Sequence, residues 1–266
     1  MGKTVLITGV SGGVGLSTAK IFALNGFRVF GLDINEPKDN IDNLHFYKCD
    51  LTNEKDVINS FNLIKNGCDS LDYIINTAGI YRLNSLVEIS EEEFIKIFNV
   101  NVFSIYRVNK NFLPLLKEKG KIIMISSELA PLDPLPFTGL YAITKSTIEK
   151  YAYSLRMELQ LLGYQVVLIR PGAIDTNLID VSTEQLEEFN KNTKYYQHDA
   201  TKFKKIVNSV EAKKVSPDRI GKLIYKVSQK KHPKYVYKIN RNKLLLLLNI
   251  LPKRWQNKII KNVIKK

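Results

Sequence analysis

Tyr141 and Lys145 are the first residues whose types and spacing could do chemistry. In the stretch YAITK (141–145), a phenol and an amine stand four residues apart. On a helix these positions share a face, so the two side chains would be neighbours. A cationic lysine beside a tyrosine favours the phenolate and lowers a pKa that is ordinarily about 10, which allows proton exchange nearer neutral pH. Such a pair is also common on amphipathic helices, so the surrounding elements must decide its role.

Length and composition predict one domain. The 266 residues, 44% of them hydrophobic, can bury one large core. The beginning, MGKTVLITG, lacks the apolar region and cleavage site of a signal peptide, so we expect a cytoplasmic protein. Cys49 and Cys68 lack metal-ligand spacing, and free thiols suit a reducing compartment. The scattered His45, His198 and His232 share no ligand pattern, so we expect no metal site.

The positive charge of the chain is concentrated near its C-terminus. The formal net charge is +14, and residues 201–266 hold 20 of the 40 Lys and Arg residues against two acids, Glu211 and Asp218. Residues 1–200 are therefore slightly acidic. A protein that binds nucleic acid along its main body is basic there, so we expect no nucleic-acid partner.

Short apolar runs of strand type alternate with helical patterns. The predicted strands are TVLIT (4–8), RVFGLD (28–33), LHFYKCD (44–50), YIIN (73–76), KIIMISS (121–127), QVVLIR (165–170) and YVYKI (235–239). Helical patterns such as EKDVINSFNLIKN separate them. Strands that alternate with helices form parallel, right-handed crossover units with helices on both faces of the sheet. The sequence therefore predicts an α/β fold, a doubly wound parallel sheet in three layers.

The first predicted strand runs into a glycine-rich turn, TGVSGGVG (8–15), and then into a helix. Glycines there let backbone N–H groups approach a pyrophosphate, and the helix N-terminus adds partial positive charge. Gly9, Gly13 and Gly15 are the spaced trio, while Gly12 is additional. The second strand ends at Asp33, where a carboxylate can accept the ribose hydroxyls of NAD and repel the 2′-phosphate of NADP. These features predict a dinucleotide site that prefers NAD.

Eight motifs in order give the chain a resemblance to a known family. They are TGVSGGVG, Asp33, CDL (49–51), NTAG (76–79), FNVN (98–101), ISS (125–127), YAITK and RPGAIDT (170–176). Across roughly residues 3–240 the chain resembles the short-chain dehydrogenases/reductases. The resemblance implies a Rossmann-fold oxidoreductase that exchanges a hydride between NAD(H) and an alcohol or ketone.

The resemblance also implies roles for individual residues. Tyr141 matches the catalytic acid/base, Lys145 the partner that lowers its pKa and binds the nicotinamide ribose, Ser127 the hydroxyl that orients the substrate oxygen, and Asn101 the holder of a relay water. Ser126 stays open as an alternative oxygen donor, because the Ser127 to Tyr141 segment is one residue longer than expected and contains three prolines. The residues expected to bind the cofactor are Gly9, Ser11, Gly13, Val14, Gly15, Asp33, Asp50, Leu51, Asn76, Ala78, Gly79, Tyr141, Lys145, Pro171, Gly172, Ile174 and Thr176. Thr77 departs from the family's usual asparagine.

The sequence indicates the class of substrate but not its identity. In this family a substrate-covering lid usually occupies the region of 177–215, and its aromatic residues here suit an apolar alcohol or ketone of steroid, retinoid or lipid type. Plain helix packing explains those aromatics equally well. A catalytically silent NAD-binding regulator or sensor is the alternative function. The resemblance further implies a homo-oligomer paired through helices over 91–117 and 141–162.

The last segment, 241–266, reads as a basic helical tail outside the catalytic domain of residues 1–240. Its apolar stretch Leu244–Leu251 is too short to span a bilayer, and Pro252 interrupts it. Beyond Pro252, apolar residues recur near helical spacing with basic residues between them, as in helices that lie in a membrane interface. We therefore expect peripheral attachment to an anionic membrane surface. The alternative is that the tail packs on the protein itself or on a partner subunit.

Overall fold

The computed structural model of the protein describes residues 2–175, 188–203 and 214–265. Seven strands within these ranges form one sheet, and all of its strand pairs are parallel. The strands are β1 (Thr4–Thr8), β2 (Arg28–Asp33), β3 (Leu44–Lys48), β4 (Leu71–Asn76), β5 (Leu116–Ile125), β6 (Gln165–Pro171) and β7 (Val236–Ile239). Their order in the sheet is β3-β2-β1-β4-β5-β6-β7, so the winding reverses between β1 and β4. The predicted doubly wound sheet is confirmed.

Helices cover both faces of this sheet. They are α1 (Gly13–Leu24), α2 (Glu54–Lys65), α3 (Glu91–Phe98), α4 (Ser104–Phe112), α5 (Gly139–Leu159), α6 (Pro217–Ser228), α7 (Lys243–Ile250) and α8 (Lys253–Lys265). Residues 188–192 and 197–203 are also helical. One core joins the sheet to α2, α4 and α5, and the other joins it to α1 and α6. The three expected layers are therefore present.

Alternate residues of each strand supply opposite cores. In β1, Leu6 lies in the core with α2, α4 and α5, whereas Val5 and Ile7 lie in the core with α1 and α6. A sheet covered on both faces needs continuous apolar runs, since successive side chains point to opposite sides. The buried polar residues Thr8, Asn76 and Ser126 lie at or just after the carboxyl ends of their strands. The carboxyl edge of the sheet is where the turns that follow β1, β4, β5 and β6 meet.

The helix predicted over 91–117 is interrupted and shorter than expected. A π-helical turn, Asn99–Phe103, joins α3 to α4, and a 3₁₀ turn, Leu113–Leu115, ends the helical stretch. Pro114 in that turn has no N–H with which to continue a helix. β5 therefore begins at Leu116 rather than at residue 121, and Leu116 pairs with Leu71 before the register shifts. β3 and β5 also end two residues earlier than predicted.

The tail forms two helices separated by Pro252, and α8 presents three different faces. One face, which packs on the protein, consists of Gln256 and Ile264, both buried, and the partly buried Ile260. A second, exposed face consists of Trp255, Ile259 and Val263, and the third carries Arg254, Lys258, Lys261 and Lys265. The apolar residues of the predicted basic amphipathic helix are therefore divided between two faces, since Ile260 and Ile264 pack on the protein while Trp255, Ile259 and Val263 stay exposed. Among the described residues, no helix is long and apolar enough to cross a bilayer.

Candidate active site

The turn after β1 has the close backbone packing that only glycine permits. Gly9 has φ +75°, and a Cβ there would lie 2.9 Å from the Cα of Ala78. A Cβ on Gly15 would lie 1.9 Å from the carbonyl oxygen of Gly9. The helix N-terminus at Gly12 has no side-chain cap and no acidic residue in its first turn. This leaves a concave backbone surface and a free helix end, which together suit a phosphate group.

Asp33 lies beside this turn at the end of β2. Its carboxylate accepts hydrogen bonds from the backbone N–H of Ser11, at 3.0 Å, and of Asn35, at 3.2 Å. These bonds fix the carboxylate next to the glycine turn. Ile34, the next residue, is exposed and has no positive charge that could offset the Asp33 carboxylate.

Thr77, the departure from the expected motif, is accommodated by Thr8. The Thr77 hydroxyl donates to the Thr8 carbonyl, and the Thr8 hydroxyl accepts from the N–H groups of Thr77 and Ala78, both at 3.2 Å. The threonine therefore ties the end of β4 to the end of β1. Sequence reasoning did not identify Thr8.

The other predicted cofactor residues occupy different positions along the same edge. Asn76 is buried, and its amide donates to Asn109 of α4 at 2.8 Å, while its own oxygen has no partner. Asp50 is exposed and accepts from Thr52, next to the buried Leu51. Pro171 ends β6, and Gly172 and Ile174 follow it. Thr176 and most of the predicted lid lie outside the described residues.

Tyr141 and Ser127 meet through their hydroxyl groups. Ser127 follows β5, Tyr141 lies in the first turn of α5, and their side chains are hydrogen-bonded. The Ser127 oxygen also accepts from the N–H of Leu129 at 3.1 Å. Ser126 points elsewhere, since its hydroxyl donates to Glu149 at 2.7 Å.

Lys145 and Asn101 border the same glycine, Gly79. A Cβ at Gly79 would lie 3.3 Å from Asn101 Oδ1 and 3.6 Å from Lys145 Nζ. The Asn101 side chain, presented by the π-helical turn, exchanges two hydrogen bonds with the backbone of Ile80. Lys145 Nζ donates to the carbonyl of Ile125 at 3.1 Å and lies 5.6 Å from the centre of the Tyr141 ring.

Burial is the main cause of the pKa shifts of Tyr141 and Lys145. It raises the pKa of Tyr141 to about 12, against a smaller lowering by the hydrogen bond from Ser127. It also lowers the pKa of Lys145 to about 8. The expected lowering of the Tyr141 pKa by Lys145 is therefore wrong for this structure. The lysine lies under the ring and bonds to the backbone, where its charge does not offset the cost of exposing a phenolate to an apolar surrounding.

A partly buried carboxylate, Glu149, lies next to the site and holds Ser126. It accepts from Ser126 and from Arg170 Nε and Nη2, the latter two at 2.5 Å, which is a bidentate ion pair. It stands four residues after Lys145 on α5. The four-residue repeat Tyr141, Lys145, Glu149 was visible in the sequence and would have identified it.

Tyr81 connects Tyr141 to an apolar cluster. Its ring packs edge-on against Tyr141, with ring centres 4.7 Å apart. Tyr81 also belongs to a group of side chains that we call the roof cluster, which consists of Tyr81, Leu83, Leu135, Phe137, Phe203, Ile260 and Ile264. No periodic pattern marks this cluster in the sequence, because its members come from four separate segments.

The residues present fit a nicotinamide dinucleotide. The glycine turn has a backbone shape that a Cβ would fill, the end of α1 is uncapped, and Asp33 is held beside both. A hydroxyl pair, an amine and an amide lie at the carboxyl edge of the sheet, where open α/β sheets bind ligands. The arrangement can hold a carbonyl or hydroxyl oxygen and exchange a proton with it.

Comparison with known proteins agrees with this geometry. The family described as "short chain dehydrogenase" matches residues 3–187. A 3-ketodihydrosphingosine reductase of Bacteroides thetaiotaomicron is 28% identical over 239 residues, covering 89% of this chain and 87% of the relative. The probable short-chain type dehydrogenase/reductase VdlC of Helicobacter pylori is 29% identical over 266 residues and covers 97% of both chains. A solved short-chain dehydrogenase family protein of Francisella tularensis is 25% identical with a TM-score of 0.75, covering 89% of this chain and 96% of that one.

The fold and the matched segment define a nucleotide-dependent oxidoreductase. The chain belongs to the short-chain dehydrogenase/reductase family, and that family binds a nicotinamide cofactor.

Proposed function

We propose that the protein transfers a hydride between NAD(H) and an apolar secondary alcohol or ketone. The observation that carries the proposal is the hydrogen bond between Ser127 and Tyr141, with Lys145 and Asn101 together at Gly79. Because Ser126 is engaged by Glu149, this geometry favours Ser127 as the oxygen donor.

When bound, a nicotinamide would supply or accept the hydride, and the protein's residues manage orientation and the proton. In the reducing direction, the Tyr141 hydroxyl donates its proton to the carbonyl oxygen as charge develops there. Ser127 donates a hydrogen bond to the same oxygen and stabilises that charge. Lys145 and Asn101 lie behind Tyr141, where an ammonium and an ordered water can replace the lost proton. Oxidation runs through the same steps in reverse.

For the cofactor, we propose a preference for NAD. The backbone of the Gly9–Gly15 turn would face the pyrophosphate, and Asp33 would accept the ribose hydroxyls. The two backbone N–H groups that bind Asp33 hold its carboxylate beside the turn, where its negative charge would repel a 2′-phosphate. Asp50 and Leu51 would lie toward the adenine, and Pro171, Gly172 and Ile174 toward the nicotinamide.

For the substrate, we propose a lipid-like ketone or alcohol. The roof cluster offers aromatic and aliphatic side chains next to Tyr141. The similarity to a 3-ketodihydrosphingosine reductase supports the same class of substrate.

We propose two partners, a second copy of this chain and an anionic membrane surface. Phe103, Tyr106, Tyr153 and Met157 are exposed apolar residues on or next to α4 and α5, which supports pairing of two copies through these helices. The exposed apolar face of α8 and its four cations support contact with an anionic membrane surface.

One experiment tests the function and separates it from the silent-regulator alternative. Wild type and Tyr141→Phe are compared for NADH oxidation with a panel of apolar ketones, and for NADH and NADPH binding by fluorescence titration. We expect turnover by wild type, a loss of roughly 10²- to 10⁴-fold in the variant, and unchanged NADH affinity, since only the proton-transferring oxygen is removed. Comparable turnover in the variant, or tighter binding of NADPH than of NADH, would contradict the assignment.

A further inference from the structure

The inner face of α8 lies against the proposed substrate site. Ile264 is buried and Ile260 is partly buried in the roof cluster, where they meet Leu83 and Phe203. Tyr81 of the same cluster packs on the Tyr141 ring at 4.7 Å. α8 and Tyr141 thus contact the same cluster, α8 through Ile260 and Ile264 and Tyr141 through Tyr81.

The roof cluster is bordered by a cavity. This cavity, of about 210 Å³, touches Leu83 of the cluster and Phe189, and the rest of its lining is mostly polar, with Arg82, Glu88 and Glu188 among the charged residues. Phe189 packs on Phe137, with ring centres 4.8 Å apart, so cavity and cluster share a wall. The cluster contacts Tyr141 through the Tyr81 ring, so it offers an apolar surface beside the proposed reacting group.

The tail is attached in a way that allows the cluster to open. Among the described residues, α7 has no buried member and α8 has two. Polar contacts hold the tail to the loop after β5: Asn249 accepts from the N–H of Asp133 at 2.6 Å, and Lys253 pairs with Asp133. Segments with few buried apolar contacts open at low free-energy cost, as substrate-covering elements must.

We propose that Ile260 and Ile264 are specificity-determining residues whose side chains contact the apolar chain of the substrate, which makes α8 a wall of the substrate chamber. The proposal rests on the proposed reductase function. The chemistry that these residues recognise is an unbranched aliphatic chain attached to the reacting carbonyl, because both are aliphatic and neither offers a hydrogen bond.

The test uses the full chain and two methyl ketones that differ in length, butanone and undecanone. Ile260→Ala is compared with Ile259→Ala, the same change at the neighbouring, outward-facing position. We expect Ile260→Ala to raise KM for undecanone roughly tenfold, since one methylene of pocket contact discriminates by about that factor or more. KM for butanone and kcat for both ketones stay within about twofold, and Ile259→Ala matches wild type. Ile260→Phe, which narrows the chamber, should lose activity on undecanone and keep activity on butanone.

The outcomes separate a structural role from a recognition role. If the role of Ile260 is purely structural, Ile260→Ala changes KM for both ketones equally, or it lowers thermal stability without changing the ratio of the two KM values. Either result would overturn the proposal. Identical ratios in the Ile260→Ala and Ile259→Ala variants would also overturn it. A wild-type enzyme that reduces neither ketone nor any longer one would instead overturn the reductase function itself.

Discussion

At the scale of single residues, two adjacent serines have opposite surroundings. Ser127 is hydrogen-bonded to Tyr141, whereas Ser126 is 1% exposed and donates to Glu149. We expect Ser127→Ala to lower kcat by roughly 10²-fold, since it removes one donor to the developing oxyanion. Ser126→Ala should keep turnover but lose about 2 kcal/mol of stability, because a hydrogen bond to a charged group is lost. Steady-state kinetics and thermal unfolding measure the two effects, and a larger loss of kcat in Ser126→Ala would reverse the assignment.

The pKa of Tyr141 gives a pH prediction. Because burial raises that pKa to about 12, the phenol stays protonated through neutral pH in the cofactor-free site. Reduction needs the protonated form and should be insensitive to the titration of Tyr141 near neutrality. Oxidation needs the phenolate, whose fraction grows tenfold per pH unit below the pKa, so kcat/KM for alcohol oxidation should rise by up to about tenfold per unit. Initial rates in both directions check this, and an oxidation rate that falls with pH would contradict it.

The sequence predicted the positions of these residues but not their protonation. YAITK and ISS placed Tyr141, Lys145 and Ser127 on elements that do converge in the structure. The pKa of Tyr141 could not be predicted from spacing, because it depends on how much solvent the surrounding layers exclude and on where the lysine ammonium points. The Lys145 ammonium points to a backbone carbonyl.

At the scale of elements, the glycine turn allows alanine variants at two of its glycines, Gly15 and Gly12, to be compared. A Cβ at Gly15 would overlap the carbonyl of Gly9, at 1.9 Å, whereas a Cβ at Gly12 would meet nothing within 4 Å. Gly12 also has φ −161°, an extended conformation that any residue adopts. We therefore expect Gly15→Ala to weaken NADH binding by at least about tenfold or to prevent folding, and Gly12→Ala to fold and bind NADH. Circular dichroism and NADH titration distinguish these results, and normal binding by Gly15→Ala would contradict the turn's role.

The strands were predictable because both faces of the sheet are covered, which requires continuous apolar runs such as those of β1 and β4. The break in the long helix was not predictable. Its π-helical turn, Asn99–Phe103, contains a buried asparagine whose bonds to Ile80 lie outside the helix. Periodicity counts apolar positions along one element, and such long-range hydrogen bonds leave no trace in it.

At the scale of the whole molecule, the tail combines contacts in two directions. The inner face of α8 packs on the roof cluster, and its outer face exposes Trp255, 63% accessible, with Ile259 and Val263. The sequence showed that α8 is basic and amphipathic, but it could not divide the apolar residues between protein and solvent, since adjacent positions such as Ile259 and Ile260 have the same residue type. In the structure the inner and outer faces of α8 use different residues, so each face can be mutated separately.

The outer face of α8 should bind an anionic membrane surface. We expect wild type to float with vesicles that contain anionic lipid at low salt, and to be released at high salt, since each Lys or Arg near such a surface contributes about 1 kcal/mol and salt screens that attraction. Lys258→Glu combined with Lys261→Glu should weaken this binding by at least about tenfold. Both lysines are exposed, so folding and reduction of butanone in solution should be unchanged. Ile260→Ala, on the inner face, serves as the control that keeps vesicle binding. Wild type that stays unbound at low salt, or a double variant that floats as well as wild type, would show that the exposed face has another role, such as contact with a second protein.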